Sequence, residues 1–285
     1  MTDFDRPRRS LLYLPAANAR AIEKARGAAA DVVILDLEDS VAPEAKVQAR
    51  AAAVAATALD WGARELAVRV NGPGTAESAD DLAAVAASAA QVLVVPKISS
   101  PDDAADAVRQ ARGKPVWVLI ETPQAVLAAD RIAAVPGIEG LVAGFADLAK
   151  DLRLKPGRGR EPLFHAMSRI VLAARSAGIL AFDGVFIDLD DPAGLEAETR
   201  QGLAFGFDGK TCIHPCQLPV INHVFAPSDD EVADARALIA AYGQARADGR
   251  GVATHRGKLV EVLHVAEAKR LIAIHEAILA RDQAG

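Results

Sequence analysis

Pro115-Val-Trp-Val-Leu-Ile-Glu121-Thr-Pro123 and Leu141-Val-Ala-Gly-Phe-Ala-Asp147-Leu-Ala-Lys-Asp151 decide the fold of this chain. Each is a short apolar run that ends in a carboxylate. A run of this length bounded by Pro or Gly reads as a strand covered on both faces. Residues 124–135 between them are Ala-rich and helical in pattern, so the pair forms a β-α-β unit. Strands joined in this way deliver both acids to the same end of a parallel sheet, where α/β folds bind ligands. Two carboxylates facing one spot repel unless a cation or a proton lies between them. A divalent metal held by Glu121 and Asp147 is therefore expected.

Similar runs recur along the chain. Strands are predicted at Leu11–Pro15, Val32–Asp36, Leu66–Asn71, Val92–Lys97, Val116–Glu121, Leu141–Asp147, Leu180–Phe186 and Phe207–His214. Helical patterns fill the intervals, as at Ala19–Ala29, Glu44–Ala58, Ala76–Ala89, Pro101–Arg112 and Leu163–Ala177. Eight β-α repeats predict an α/β fold of the TIM (β/α)8 barrel type over residues 1–227. No Gly-x-Gly-x-x-Gly follows the first strand and no phosphate-binding P-loop occurs. From Ser228 the pattern changes. Ser228-Asp-Asp-Glu231 is a capping box opening a helix to about Tyr242. A Gly/Arg-rich, mobile stretch is expected over 243–257, then a last helix to about Arg281. Residues 228–285 thus read as a C-terminal helical extension without strands, serving as a lid or an oligomer contact.

Composition narrows the function classes. Hydrophobic residues make up 51% and aromatics 4%, so the core is aliphatic, as suits helices laid on a Val/Ile/Leu sheet. A net charge of -6 argues against a nucleic-acid partner. Arg8-Arg9 before Leu11-Leu12-Tyr13-Leu14 is too short an apolar run for an export signal. No apolar stretch is long enough to span a bilayer, so a cytoplasmic protein without a membrane partner is expected. Cys212 and Cys216 bracket His214, too few ligands for a closed zinc site; free thiols are expected.

The strand ends carry Asp36 with Glu38 and Asp39, Arg69, Lys97, Glu121, Asp147, Asp183 and His214. Singly, each residue is as readily explained by a structural salt bridge. Collected at one rim, they describe an active site. Two protein carboxylates leave most of an octahedral shell to water and substrate, which favours Mg²⁺, with Mn²⁺ as the alternative. Such a metal activates a chelating 2-oxo or 2-hydroxy acid. Arg69 suits a carboxylate or an enolate oxygen. The backbone of Gly144-Phe145-Ala146 suits a small acid's carboxylate. Together these groups point to C–C bond cleavage or formation through an enolate.

Arg9-Ser-Leu-Leu-Tyr-Leu-Pro15, Asp36-Leu-Glu-Asp-Ser-Val41, Val68-Arg69-Val-Asn71, Val95-Pro-Lys97, Ile120-Glu121-Thr122, Gly144-Phe-Ala-Asp147-Leu-Ala-Lys-Asp151 and Gly209-Lys-Thr-Cys-Ile-His-Pro215 resemble the citrate lyase β-subunit-like family. That family belongs to the HpcH/HpaI aldolase superfamily, and the likeness runs from about residue 7 to 228. The resemblance implies a Mg²⁺-dependent TIM barrel working as a homo-oligomer, a trimer or hexamer. The implied activity is a carbon–carbon lyase acting on 3-hydroxy-acyl-CoA thioesters such as citryl-CoA, malyl-CoA or citramalyl-CoA. The products are acetyl-CoA or another acyl-CoA and a 2-oxo acid. By resemblance, Glu121 and Asp147 are the metal ligands and Arg69 contacts the oxo-acid and the thioester carbonyl. Arg9 matches a basic residue near the CoA phosphates, while Asp36 and Lys97 fall in motifs at the site.

The tail departs from the family. CoA-dependent lyases of this kind carry Val-Asp-Gly-Lys-Met there, and its aspartate reaches a neighbouring subunit as acid/base. Here the stretch reads Thr254-His255-Arg256-Gly257-Lys258-Leu259, with Arg256 at the aspartate's place. His255 is the adjacent candidate for proton transfer, since an imidazole can both accept and donate a proton. Two other readings stand beside the lyase. One is a class II pyruvate-type aldolase acting on free 2-oxo acids without CoA; the other is a non-catalytic subunit that binds metal and oxo-acid.

Overall fold

Every residue of Val116–Ile120 is buried, as a strand covered on both faces requires. In the computed structural model, which describes residues 6–155, 157 and 159–284, this segment is the fifth of eight parallel strands closed into a barrel. In order they are β1 (Ser10–Pro15), β2 (Val32–Asp36), β3 (Glu65–Arg69), β4 (Val92–Val95), β5 (Val116–Ile120), β6 (Ile138–Ala143), β7 (Leu180–Asp183) and β8 (Gly209–Cys212). Closure comes from β1, which pairs with β2 through Leu11↔Val32 and with β8 through Ser10↔Lys210. The expected (β/α)8 barrel is present.

Alternate strand residues fill the barrel. Leu11, Val32, Ile34, Ala67, Val92, Val94, Trp117, Leu119, Val142, Leu180 and Phe182 form one buried cluster, with Tyr13 packed against it. The Trp117 and Phe182 rings lie 4.7 Å apart at a tilt of 48°. Gly140 makes room for the indole, because a Cβ there would lie 2.8 Å from Trp117 Cδ1. The β5–β6 register also shifts between Val116 and Trp117.

The helices follow local chemistry. They are α1 (Ala19–Arg26), α2 (Lys46–Thr57), α3 (Ser78–Ala86), α4 (Pro101–Ala111), α5 (Pro123–Leu127) and α6 (Ala129–Ala133). After β6 come α7 (Phe145–Asp151), α8 (Phe164–Ala177), α9 (Pro192–Phe205) and α10 (Leu218–Phe225). Three of them start on side-chain caps followed by proline: Ser100-Pro101 with Asp103 completing a capping box, Thr122-Pro123 and Asp191-Pro192. The segment expected as one helix over 124–135 is two short ones joined at Ala128. The sixth strand also ends earlier than expected, at Ala143. Gly144 turns the chain, and Phe145 opens α7, so Asp147 sits in a helix's first turn.

The chain divides into two compact units, of which the barrel is Arg8–His223. The second unit contains α11 (Asp229–Ala247), β9 (Ala253–His255), β10 (Lys258–Val260) and α12 (Val262–Ala284). The Ser228–Glu231 capping box opens α11 as expected. A strandless, mobile segment at 243–257 is not what the structure shows. Ala253 and Val260 pack on Ala245 and Val265, and this small apolar cluster orders an antiparallel hairpin. Its two-residue turn is Arg256-Gly257, with φ of 46° and 75°. Positive φ at both positions is the I′ geometry that hairpin twist favours, and Arg256 adopts it despite its Cβ. Among the described residues no helix is long and apolar enough to cross a membrane.

Trp117→Ala should cost about 3–5 kcal/mol of stability, as for other large-to-small core changes. Urea unfolding of the two proteins measures this. A loss below about 1 kcal/mol would mean that the indole is not the centre of the barrel core.

Candidate active site

Glu121 follows β5 directly, and its side chain is 3% exposed. Gly144, entering from β6, lies so close that a Cβ there would sit 2.3 Å from Glu121 Cβ. Only glycine lets the two segments touch. Lys97, just beyond β4, wraps the same carboxylate from the other side. It has φ of 57°, and its backbone N–H donates to Glu121 Oε1 at 2.6 Å. Its Nζ lies 3.5 Å from that oxygen and is ion-paired with Asp147 Oδ2. Glu121 and Asp147 therefore reach one and the same cationic group. Burial drives the Glu121 pKa up, and the Lys97 charge opposes this only in part. Burial disfavours the Lys97 charge, but the hydrogen bond to Asp147 and the charges of both acids outweigh it, so its pKa is raised.

Arg69, the last residue of β3, forms the second half of the site. Its Nε and Nη2 each donate to Asp36, at 2.7 Å, in a bidentate pair. Nη1 lies 3.0 Å from Glu38 Oε2 and 3.4 Å from Asp39 Oδ2. The guanidinium also covers the Tyr13 ring, 4.8 Å from its centroid. Asp36 in turn accepts from the backbone N–H groups of Glu38 and Ser40. Burial works against the Asp36 charge, yet the Arg69 hydrogen bond and charge hold its pKa below the usual carboxylate range. Burial likewise opposes the Arg69 charge, and Asp36 more than restores it.

Glu38 is the unsatisfied member. Its Oε2 is close to Arg69 but out of line for a hydrogen bond. Burial pushes its pKa up to about 7, against the pull of Arg69, with Asp39 adding to the rise. Its backbone is held by Lys46, whose Nζ donates to the carbonyls of Leu37 and Glu38 and to Asn71 Oδ1.

A cavity of about 370 Å³ lies at the strands' C-terminal ends, and Lys97 and Glu38 stand behind its wall rather than in it. Asp36, Asp39, Arg69, Glu121 and Asp147 line it, as do Gly144, Phe145 and Ala146. Tyr13 and Leu119 contribute from the barrel interior. Tyr13 and Lys46 were not among the expected site residues. Tyr13 was readable as the inward neighbour of Leu11 two residues on; Lys46, nine residues beyond Leu37, gave no local signal.

Arg9 is a correction. It precedes β1, so it lies at the opposite end of the strands from the cavity. There it binds Asp31 through Nε and Nη2 at 2.8 and 2.9 Å. Its charge serves the barrel floor. His255, in the second unit, faces Asp234, with Nε2 2.7 Å from Oδ1, and Arg256 Nε lies 2.8 Å from the same oxygen. Asp183 and Lys210, outside the cavity, form a buried network with Arg160 and Glu198. Cys212 and Cys216 are free thiols.

Residues 9–215, which carry every rim group above, match the HpcH/HpaI aldolase/citrate lyase family model. The chain belongs to that family. It is 43% identical to a (3S)-malyl-CoA thioesterase of Cereibacter sphaeroides, covering 96% of both proteins. An L-malyl-CoA/beta-methylmalyl-CoA lyase of the same species is 36% identical, again over 96% of both. Among solved structures, CitE of Mycobacterium tuberculosis in complex with magnesium, acetoacetate and coenzyme A is similar, with a TM-score of 0.79 and 34% identity. That match covers 95% of this chain and 98% of the other.

A divalent cation fits these residues. Two carboxylates already converge on one positive group, the buried one needs neutralising, and the donors are all hard oxygens. Among the described residues no group of three or more His, Cys, Asp or Glu forms a closed metal cage.

The pH dependence of stability follows from Glu38. Its folded pKa of about 7 exceeds the ordinary 4.5, so its contribution is present below pH 4.5 and lost as pH rises through 7. Glu38→Gln, which mimics the protonated form, should match the wild type in metal-free protein at low pH. Above about pH 8 it should be more stable, by on the order of 3 kcal/mol. Denaturation at a series of pH values checks this; a variant less stable at high pH would show Glu38 to be a stabilising ion pair instead.

Proposed function

We propose that this chain is a Mg²⁺-dependent carbon–carbon lyase of 3-hydroxy-acyl-CoA thioesters, acting in the cytoplasm as a homo-oligomer. The observation that carries the reading is the meeting of Glu121 and Asp147 on one cation beside a clamped Arg69. Glu121 and Asp147 would hold the metal, which supplies Lewis-acid activation of the oxygens of a chelating hydroxy acid. The substrate class is that of the relatives named above, whose names specify malyl-CoA and beta-methylmalyl-CoA.

Arg69 has five N–H donors, and the three hydrogen bonds to Asp36 and Asp39 leave two. Those donors stabilise the thioester oxygen, on which negative charge grows as the C–C bond breaks. Asp36 acts through Arg69: two of its hydrogen bonds orient the guanidinium and those from the Glu38 and Ser40 N–H groups fix the carboxylate itself, so it is a positioning residue. The first-turn N–H groups of α7 at Phe145 and Ala146 receive the oxo-acid carboxylate, whereas the Gly144 N–H is taken by the Ile120 carbonyl. Lys97 offers a further charge to the substrate anion.

Proton transfer falls to His255 of a neighbouring copy. Asp234 fixes one ring nitrogen, leaving Nδ1 for the substrate. Arg256 cannot serve, since a guanidinium does not release its proton near neutrality.

Thioester hydrolysis is the second reading, favoured by the 43% identity to a thioesterase against 36% to a lyase. One assay separates them. Incubated with Mg²⁺ and malyl-CoA, citramalyl-CoA or citryl-CoA, the enzyme should yield acetyl-CoA and the matching 2-oxo acid, and EDTA should abolish this. Free CoA thiol with the intact hydroxy acid would establish hydrolysis instead. Cleavage of free oxo-acid aldols alone would make it a class II aldolase; binding without turnover would make it a non-catalytic subunit. Arg69→Lys should lower kcat/KM by about 100-fold or more, because a point charge does not replace the fork.

A further inference from the structure

Among the described residues, Lys97 is the cation that both acids claim. Three features mark its place as built. Its backbone is left-handed, at φ 57°, which a side-chain-bearing residue rarely adopts. That conformation lets Lys97 bind Glu121 twice, by the backbone N–H and by the ammonium. Its aliphatic stem lies against Gly72, where a Cβ would be 3.0 Å from Lys97 Cγ, so the neighbouring loop is bare to receive it. The side chain is also 39% exposed, which gives the ammonium a way out to water.

We infer that Lys97 is an internal counter-ion that competes with the divalent metal for Glu121 and Asp147. In the metal-free protein the ammonium bridges the two carboxylates and neutralises the buried one. With Glu121 and Asp147 holding a metal, the ammonium would lose both partners and swing outward about the Gly72 contact. This rests on the metal-site reading above. Its first consequence is a lowered metal affinity, because the competent state is only a fraction of the metal-free population. A bridge favoured about ten to one weakens apparent metal binding by about tenfold. Its second consequence is order: the ammonium becomes available to the substrate's anion only after the metal is in place.

Two measurements on the full-length protein test this. The first is calorimetric titration of wild type and Lys97→Met with Mn²⁺ and with Mg²⁺. The variant should bind about five- to tenfold more tightly. Equal or weaker binding would overturn the competition. A wild type that binds neither ion would remove the metal site itself, and the inference with it. The second reads Lys97 directly, since any nearby charge would repel a metal whether or not it is displaced. Trace acetylation with peptide mass spectrometry, with and without saturating Mg²⁺, compares Lys97 with the exposed Lys24. Metal should raise Lys97 labelling several-fold and leave Lys24 unchanged. If metal binds and Lys97 labelling does not rise, the ammonium is a bystander, and only its role falls.

Discussion

The burial of one carboxylate governs this protein. Glu121 stands at the end of a strand enclosed on both faces, with Gly144 pressed against its stem. A carboxylate in such a place carries a desolvation cost that only a cation offsets. The neighbouring segments answer that demand. Lys97 bends into a left-handed conformation to reach it, and Asp147 is brought up on the first turn of α7 to share the same positive group. A site that requires a cation and leaves most of its shell open is suited to a metal that must also bind substrate.

Arg69 answers a different demand. Its guanidinium is buried too, though less deeply than Glu121, and Asp36, Glu38 and Asp39 surround it while the Tyr13 ring lies against it. A clamped guanidinium has little freedom left to lose when substrate binds, which is what preorganised stabilisation of developing charge needs. The clamp leaves Glu38 overburdened: three carboxylates share one arginine, and the most weakly bonded of them takes up a proton near neutral pH. The barrel tolerates that local cost because the cluster around Trp117 and Phe182 lies directly beneath.

Much of this was legible in the chain itself. The uninterrupted apolar runs are the signature of strands buried on both faces, and Asp36, Arg69, Glu121 and Asp147 at or beyond their ends do line the cavity. What escaped depended on geometry that no local pattern encodes. Asp147 read as a strand end, because Gly144 makes a turn inside an apolar run. Arg9 read as a substrate group, although a residue preceding a barrel strand lies on the far side from the cavity. The hairpin at residues 253–260 was hidden by its Gly/Arg-rich surroundings; only packing of Ala253 and Val260 on residues of both flanking helices reveals it. The positive φ of Lys97 leaves no trace in sequence, yet it makes one residue both a hydrogen-bond donor and a counter-ion to Glu121.

The shared-cation site is most directly tested by a crystal of the full-length protein soaked in Mn²⁺, using anomalous difference density. A single peak bonded to one oxygen of Glu121 and one of Asp147, at about 2.0–2.2 Å as for a small hard divalent ion, is the predicted result. A peak elsewhere, or one bonded to only one of the two acids, would contradict it.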